Sequence, residues 1–366
     1  MALKVLALAG DGIGPEVVNA ALRVLDVAAK SIGLRIDLTE DLLHGAAWEK
    51  YGTFIRPQTL ALAHAADALL VGATGGPAWD HIVVDGGPQE QDGLMKLRHE
   101  LDAFACIRHA RSWDALLEQT PFRADRIRGA DIVVMRELCG GAMFTQTRGI
   151  ETQADGSRRA FDLNEYSNNE IERFARVGFE VARRRRGKVV SVDKANVFIA
   201  GKLWREVVEE IGKAEFPDVE LKHYFADNAS YQMCCQPTVF DVILADNLFG
   251  DLLSDQSAAI AGSLGMLPSA SLPDLPQAGR VRGTAIYEPV HGSAPDIAGQ
   301  GIANPIGTIL SVAMMLRYSA GEVDCAAQIE AAVDAALNAG NATRDIGGEL
   351  GSGAMTDAII AQFRAL

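Results

Sequence analysis

Apolar residues recur along this chain in two rhythms. Runs such as LKVLALAG (3–10), ADALLVGA (66–73), ADIVVMRE (130–137), KVVSVD (188–193), VELKHYFAD (219–227) and FDVILAD (240–246) are short and bounded by Gly, Asp or Lys. They read as strands. Elsewhere the apolar spacing opens to three and four, as in PEVVNAALRVLDVAAKSIG (15–33) and AAQIEAAVDAALNAG (326–340), which read as amphipathic helices. Pro15 suits a first helical turn and Gly340 a stop. Strand text alternating with helical text predicts an α/β fold on a mixed sheet. Residues 139–166 break the rhythm: CGGAMFTQTRGIETQADGSRRAFDLNEY is polar and turn-rich, and predicts a hairpin arm projecting from the body.

Composition narrows the function without fixing it. At 366 residues, 48% of them hydrophobic, the chain is long enough for two lobes. A formal net charge of -14 argues against broad nucleic-acid or anionic-membrane binding, so an anionic substrate would need a local cluster of arginines. Five cysteines without framework spacing imply reduced, mostly packed thiols and a cytoplasmic setting. The opening MALKVLALAGDGIGPE has only a short apolar stretch, which carries Lys4 and runs into a glycine turn, and this predicts a first strand rather than a signal segment. No stretch is apolar enough to span a membrane.

The candidate chemistry lies in charged residues at element ends. Gly10, Gly12 and Gly14 follow the first strand, but Pro15 comes before any third fingerprint glycine, so a structural turn is expected rather than a Rossmann site. In DNLFGDLLSD (246–255), Asp251 and Asp255 are four apart, where a helix stacks side chains on one face. Such a pair reads as a solvated face, or as ligands of a hard divalent cation. Asp227, directly after a strand run, reads as a helix cap or as a third ligand. Arg98 on a helix, Arg108 on the following strand and Arg136 at a strand end read singly as surface charges or ion-pair partners; together they suit a di- or tricarboxylate. Lys194 ends another strand, as an exposed lysine or as a base.

These residues carry a resemblance. Through GDGIGPEV, LRHELDAFACIR, RELCGG, VDKANVF, DNLFGDLLSD, GSLGMLPSASL and EPVHGSAPDIAGQGIANP, the chain resembles the β-decarboxylating dehydrogenases (the isocitrate/isopropylmalate dehydrogenase family), most closely the isopropylmalate branch. The resemblance implies that family's fold, two domains on a mixed sheet and no Rossmann fold. The cofactor-side domain would be 1–103 plus 262–366, and the second domain 104–261, with the dimer interface and the arm. It implies that Arg98, Arg108 and Arg136 bind substrate carboxylates, and that Asp227, Asp251 and Asp255 bind Mg²⁺ or Mn²⁺. Asp227 and the base Lys194 would come from the other subunit of a homodimer. His291, Gly292, Ser293, Ala294, Asp296 and Asn304 would hold the cofactor. A carboxylate at the adenosine ribose favours NAD over its 2′-phosphorylated relative. The implied activity is oxidative decarboxylation of a 3-substituted malate, as in leucine biosynthesis; the alternatives are a tartrate or D-malate enzyme and a non-catalytic regulatory homologue.

The sequence departs from the family pattern in two places. Met143 stands where the family has a tyrosine, and a thioether cannot donate a proton. Tyr231, four residues after Asp227, is the proposed substitute donor, with interface packing as the competing role. Before the arginine helix the substrate-reading positions are Gln91, Leu94 and Met95. They favour an apolar or neutral substituent at C3 over a third carboxylate.

Overall fold

The computed structural model describes residues 2–276 and 280–366. Twelve strands are found there: β1 (Ala2–Gly10), β2 (Arg35–Asp41), β3 (Ala68–Ala73), β4 (Ala105–Arg111), β5 (Asp131–Glu137), β6 (Arg148–Thr152), β7 (Arg158–Asp162), β8 (Lys188–Asp193), β9 (Glu220–Phe225), β10 (Val242–Ala245), β11 (Pro268–Leu272) and β12 (Ala285–Pro289). Ten of them form one mixed sheet in the order β2-β1-β3-β12-β11-β4-β5-β10-β8-β9. The order sorts by chain segment. Five neighbouring strands come from residues 2–73 and 268–289, the other five from 105–245.

The junction is antiparallel. β11 pairs antiparallel with both β12 and β4, and β4 antiparallel with β5, whereas the outer pairs in each half are parallel. Parallel strands need covered faces, and the apolar runs read from the sequence supply them: β3 and β10 are buried along their whole length. Helices Gly14–Ser31, Ile306–Met315 and Val323–Asn338 pack over one face of the first half. Helices Asn168–Arg183 and Ile199–Glu215 pack together against the second half.

The first strand lies inside the sheet, flanked by β2 and β3. The expected arm is present as the antiparallel pair β6 and β7, with Arg148 opposite Asp162, and it stands almost entirely exposed. The strand expected over 219–227 stops at Phe225; Asp227 lies in the first turn of helix Ala226–Cys235 rather than at its cap. The five thiols are free; Cys106 and Cys325 are buried, whereas Cys234 is exposed. Among the described residues no helix is long and apolar enough to cross a membrane.

Candidate functional site

The helix Asn247–Ala261 is started by Asp246, whose side chain accepts from the Phe249 N–H at 2.8 Å. Burial pushes the Asp246 carboxyl up to about 6. Gly250 lets this helix lie against β5: a Cβ there would sit 2.7 Å from the Arg136 Cβ. Asp251 and Asp255 therefore face the sheet one helical turn apart. Arg108 Nη1 donates to Asp251 Oδ1 at 3.3 Å, Asp255 Oδ1 at 3.1 Å and Ser254 Oγ at 2.7 Å. Arg136 donates to Asp251 through Nη1 and to Asn247 Oδ1 through Nε at 2.9 Å. Two guanidinium groups thus offset the repulsion of the paired acids. Burial, with the Arg108 charge nearby, pushes Arg136 down to about 10. Burial also raises Asp255 above the usual carboxylate range, although Arg108 pulls against it.

The third arginine arrives from the other half of the sheet. Asp92 caps helix Gly93–Glu100 by accepting from Leu94 N at 2.7 Å and Met95 N at 3.1 Å. Arg98 on that helix donates through Nη2 to Glu288 Oε1 at 2.6 Å. Burial alone would lower Arg98, but the Glu288 charge outweighs it and the guanidinium is held above its ordinary value. A cavity of about 530 Å³ opens beside this pair, and Gln91, Met95, Arg98, Arg136 and Met143 line it. Met143 Sδ accepts from Arg136 Nη2 at 3.2 Å. Leu94 lies elsewhere, buried in an apolar cluster with Leu6, Leu8 and Leu97. Arg148 and Asp162 of the hairpin also line the cavity.

Lys194 and Asp227 form a separate pair. Lys194 Nζ donates to Asp227 Oδ1 at 2.6 Å, and that bond holds the Asp227 carboxyl below its usual range. Tyr231, 63% exposed, stands one helical turn further on. Among the described residues no three His, Cys, Asp or Glu side chains gather as a cation site, so Asp227 does not join Asp251 and Asp255 within the chain. An all-oxygen donor set of this kind suits a hard cation, and of the three candidate carboxylates two stand together within the chain.

The loop carrying His291 to Asn304 is held by the glycine turn after β1. Ile13 N–H donates to the Ser293 carbonyl at 2.8 Å, and a Cβ on Gly12 would lie 2.0 Å from that oxygen. The glycines expected to form a structural turn therefore fix this loop. Ser293 and Asn304 are buried, Gly292 faces open space, and Ala294 takes a φ of 39°. His291 Nδ1 bonds the Gly292 carbonyl at 2.9 Å, while its buried Nε2 has no partner. Burial lowers His291, which keeps the ring neutral. Asn304 accepts from Ile306 N–H and donates to Asp345 Oδ2, both at 3.0 Å. The Asp296 residue is exposed. An unpartnered buried ring nitrogen, an open glycine and an exposed carboxylate fit a nucleotide's polar groups.

Sequence reasoning had missed Glu288, Asn247 and Ser254. The first was signalled by an acid inside the apolar strand AIYEP; the other two sit within DNLFGDLLSD itself.

Arg108 and Arg136 on the paired helix acids, with Arg98 brought from the other half of the sheet to the cavity that Arg136 also lines, form a site suited to an anionic substrate. The family model described as "Isocitrate/isopropylmalate dehydrogenase" matches residues 4–361, and the chain belongs to that family. Within it, the chain is 46% identical to the 3-isopropylmalate dehydrogenase of Aquifex aeolicus, covering 99% of this chain and 98% of the relative. It is 47% identical to the enzyme of the same name from Xanthomonas euvesicatoria, over 99% of both. Among solved structures, isocitrate dehydrogenase from Methylococcus capsulatus superposes with a TM-score of 0.86 at 33% identity, over 99% of each chain.

Proposed function

We propose that the protein catalyses the NAD- and divalent-metal-dependent oxidative decarboxylation of 3-isopropylmalate to 2-oxoisocaproate; the similar enzymes are named as dehydrogenases of 3-isopropylmalate. The observation that carries this reading is the meeting of Arg98 and Arg136 on one cavity of about 530 Å³, with Arg108 tied to both helix acids. Guanidinium forks grip the two malate carboxylates. Met95 and Met143 give the C3 substituent a soft apolar wall, which suits an isopropyl group better than a third carboxylate.

Asp251 and Asp255 would hold the cation with Asp227, and His291–Ala294, Asp296 and Asn304 would hold NAD. NAD held there would supply a hydride acceptor for C2, and the cation would supply Lewis-acid stabilisation of negative charge on the 2-oxygen. Lys194 takes the hydroxyl proton, the carboxylate on C3 leaves as CO₂ with its bonding electrons passing into the enolate, and Tyr231 returns a proton to C3, which the thioether of Met143 cannot do.

Asp227, Lys194 and Tyr231 reach the cleft from the second subunit of a homodimer. Exposed apolar residues support that surface: Leu248 and Leu252 on the acid-bearing helix, Tyr231 on the next, and Ile199 beyond Lys194. The strand order supports domains of 1–103 plus 262–366 and 104–261.

Absorbance of reduced nicotinamide, followed with Mn²⁺, NAD and a panel of 3-substituted malates, tests the proposal. Turnover with 3-isopropylmalate above malate, tartrate and isocitrate is expected. Silence on the whole panel would favour a regulatory homologue.

A further inference from the structure

Strand β4 has a second side. Its alternation turns Arg108 toward the helix acids and sends Ile107, His109 and Arg111 to the opposite face of the sheet. There a cavity of about 480 Å³ opens between helix Asn168–Arg183 and helices Ile306–Met315 and Val323–Asn338. Its volume is in the range of small-molecule sites.

Its charges are nearly all paired. Arg184 meets Glu180 at 2.8 Å, Arg185 meets Asp131 at 2.9 Å, and Arg317 meets Glu330 at 2.7 Å. His109 shares Asp131 at 2.6 Å. Among the described residues Arg111 is the lining arginine with no ion pair. Its guanidinium lies 3.7 Å over the Trp113 ring, and its buried Nη2 has no hydrogen-bond partner. With no carboxylate to neutralise it, Arg111 leaves the cavity lining one positive charge in excess.

We infer that this cavity is a second binding site, for a small apolar monocarboxylate. One free guanidinium among neutralised pairs matches a single negative charge and disfavours a dianion such as phosphate. Val133, Val181, Met314 and Val323 supply apolar walls for the body of the ligand. The ligand would bridge helices that cover different halves of the sheet, on the face away from the substrate arginines. The inference stands apart from the proposed reaction, because a simple fatty acid lacks the 2-hydroxyl that the cleft reads.

The test uses thermal unfolding of the full chain with 4-methylpentanoate, acetate and inorganic phosphate as probes. A saturable rise in Tm with 4-methylpentanoate is expected, with weaker responses to the other two. Arg111→Gln should weaken the response by about tenfold or more. Val323→Trp, which fills the cavity from a half-exposed position, should abolish it and serves if Arg111→Gln fails to fold. No saturable shift in the parent protein, or an undiminished one in Val323→Trp, overturns the assignment.

Discussion

The arginine cluster and the Lys194–Asp227 pair differ in how far one chain can build them. Arg108 and Arg136 are buried, and each is tied to the helix acids; Arg98 is closed by Glu288. Lys194 and Asp227 have one another at 2.6 Å; the lysine also lies over the Phe225 ring and is 25% exposed, whereas the aspartate side chain is 71% exposed. The first region is pre-organised by burial, whereas the second is open at Asp227. A pair with one partner this exposed is worth little to stability, which is compatible with the proposed role of both residues in catalysis.

The sharpest way to break that contrast is through the acids. Asp251→Asn should lower turnover by about a thousandfold, in line with removing one electrostatic element of an active site. Calorimetric Mn²⁺ titration should show the binding lost with it. Binding at parent affinity would remove Asp251 from the cation site.

Lys194→Met should cost about a hundredfold or more, as expected for a lost general base. Mixing it with Asp251→Asn then sharpens the comparison. If subunits share sites, half the re-formed dimers are mixed and each holds one intact site. About a quarter of parent activity should therefore return on mixing. Zero recovery after verified subunit exchange would place both residues in one chain's site.

Tyr231→Phe should slow turnover by about tenfold, and adding Met143→Tyr to it should restore part of the loss. Steady-state rates of the single and double variants decide this. Equal rates for Tyr231→Phe and the parent would leave Tyr231 as interface packing.

The smallest effect concerns the buried end of the cluster. Glu137 follows Arg136, and burial pushes its carboxyl from 4.5 up to about 7, although Cys139 N–H and Gly140 N–H donate to it. The folded state therefore prefers the protonated acid. That contribution is full below 4.5 and is lost as pH rises through about 7. Glu137→Gln should flatten this part of the stability–pH curve, on the order of 2 kcal/mol by chemical denaturation across that window. An unchanged slope would assign the titration to another group.

Much of the sheet was legible because parallel strands buried on both faces are written as continuous apolar runs, β3 and β10 above all. Others were not. β2, an exposed edge strand reading RIDLTED, carries little apolar signal, and β11 is built from Pro, Ser and Ala although it is fully buried. The same split runs through the site. Arg98, Arg108, Arg136 and the helix acids stood out because charge at element ends is conspicuous. Their partners did not, since Glu288, Asn247 and Ser254 gain meaning from pairing across the fold. Leu94 shows the reverse error available to spacing: one residue from Met95 on a helix, it points into the apolar core while Met95 lines the cavity.

The sorting of strands by chain segment also bears on how the molecule is made. Residues 105–245 hold all five strands of one half, so they leave the ribosome as a complete set and can collapse while synthesis continues. The other half has to wait. β3 meets its neighbour β12 after more than half the polypeptide has been translated, and until then its apolar edge is open to wrong partners. Slow translation or truncation before residue 285 would therefore expose the amino-terminal strands to aggregation.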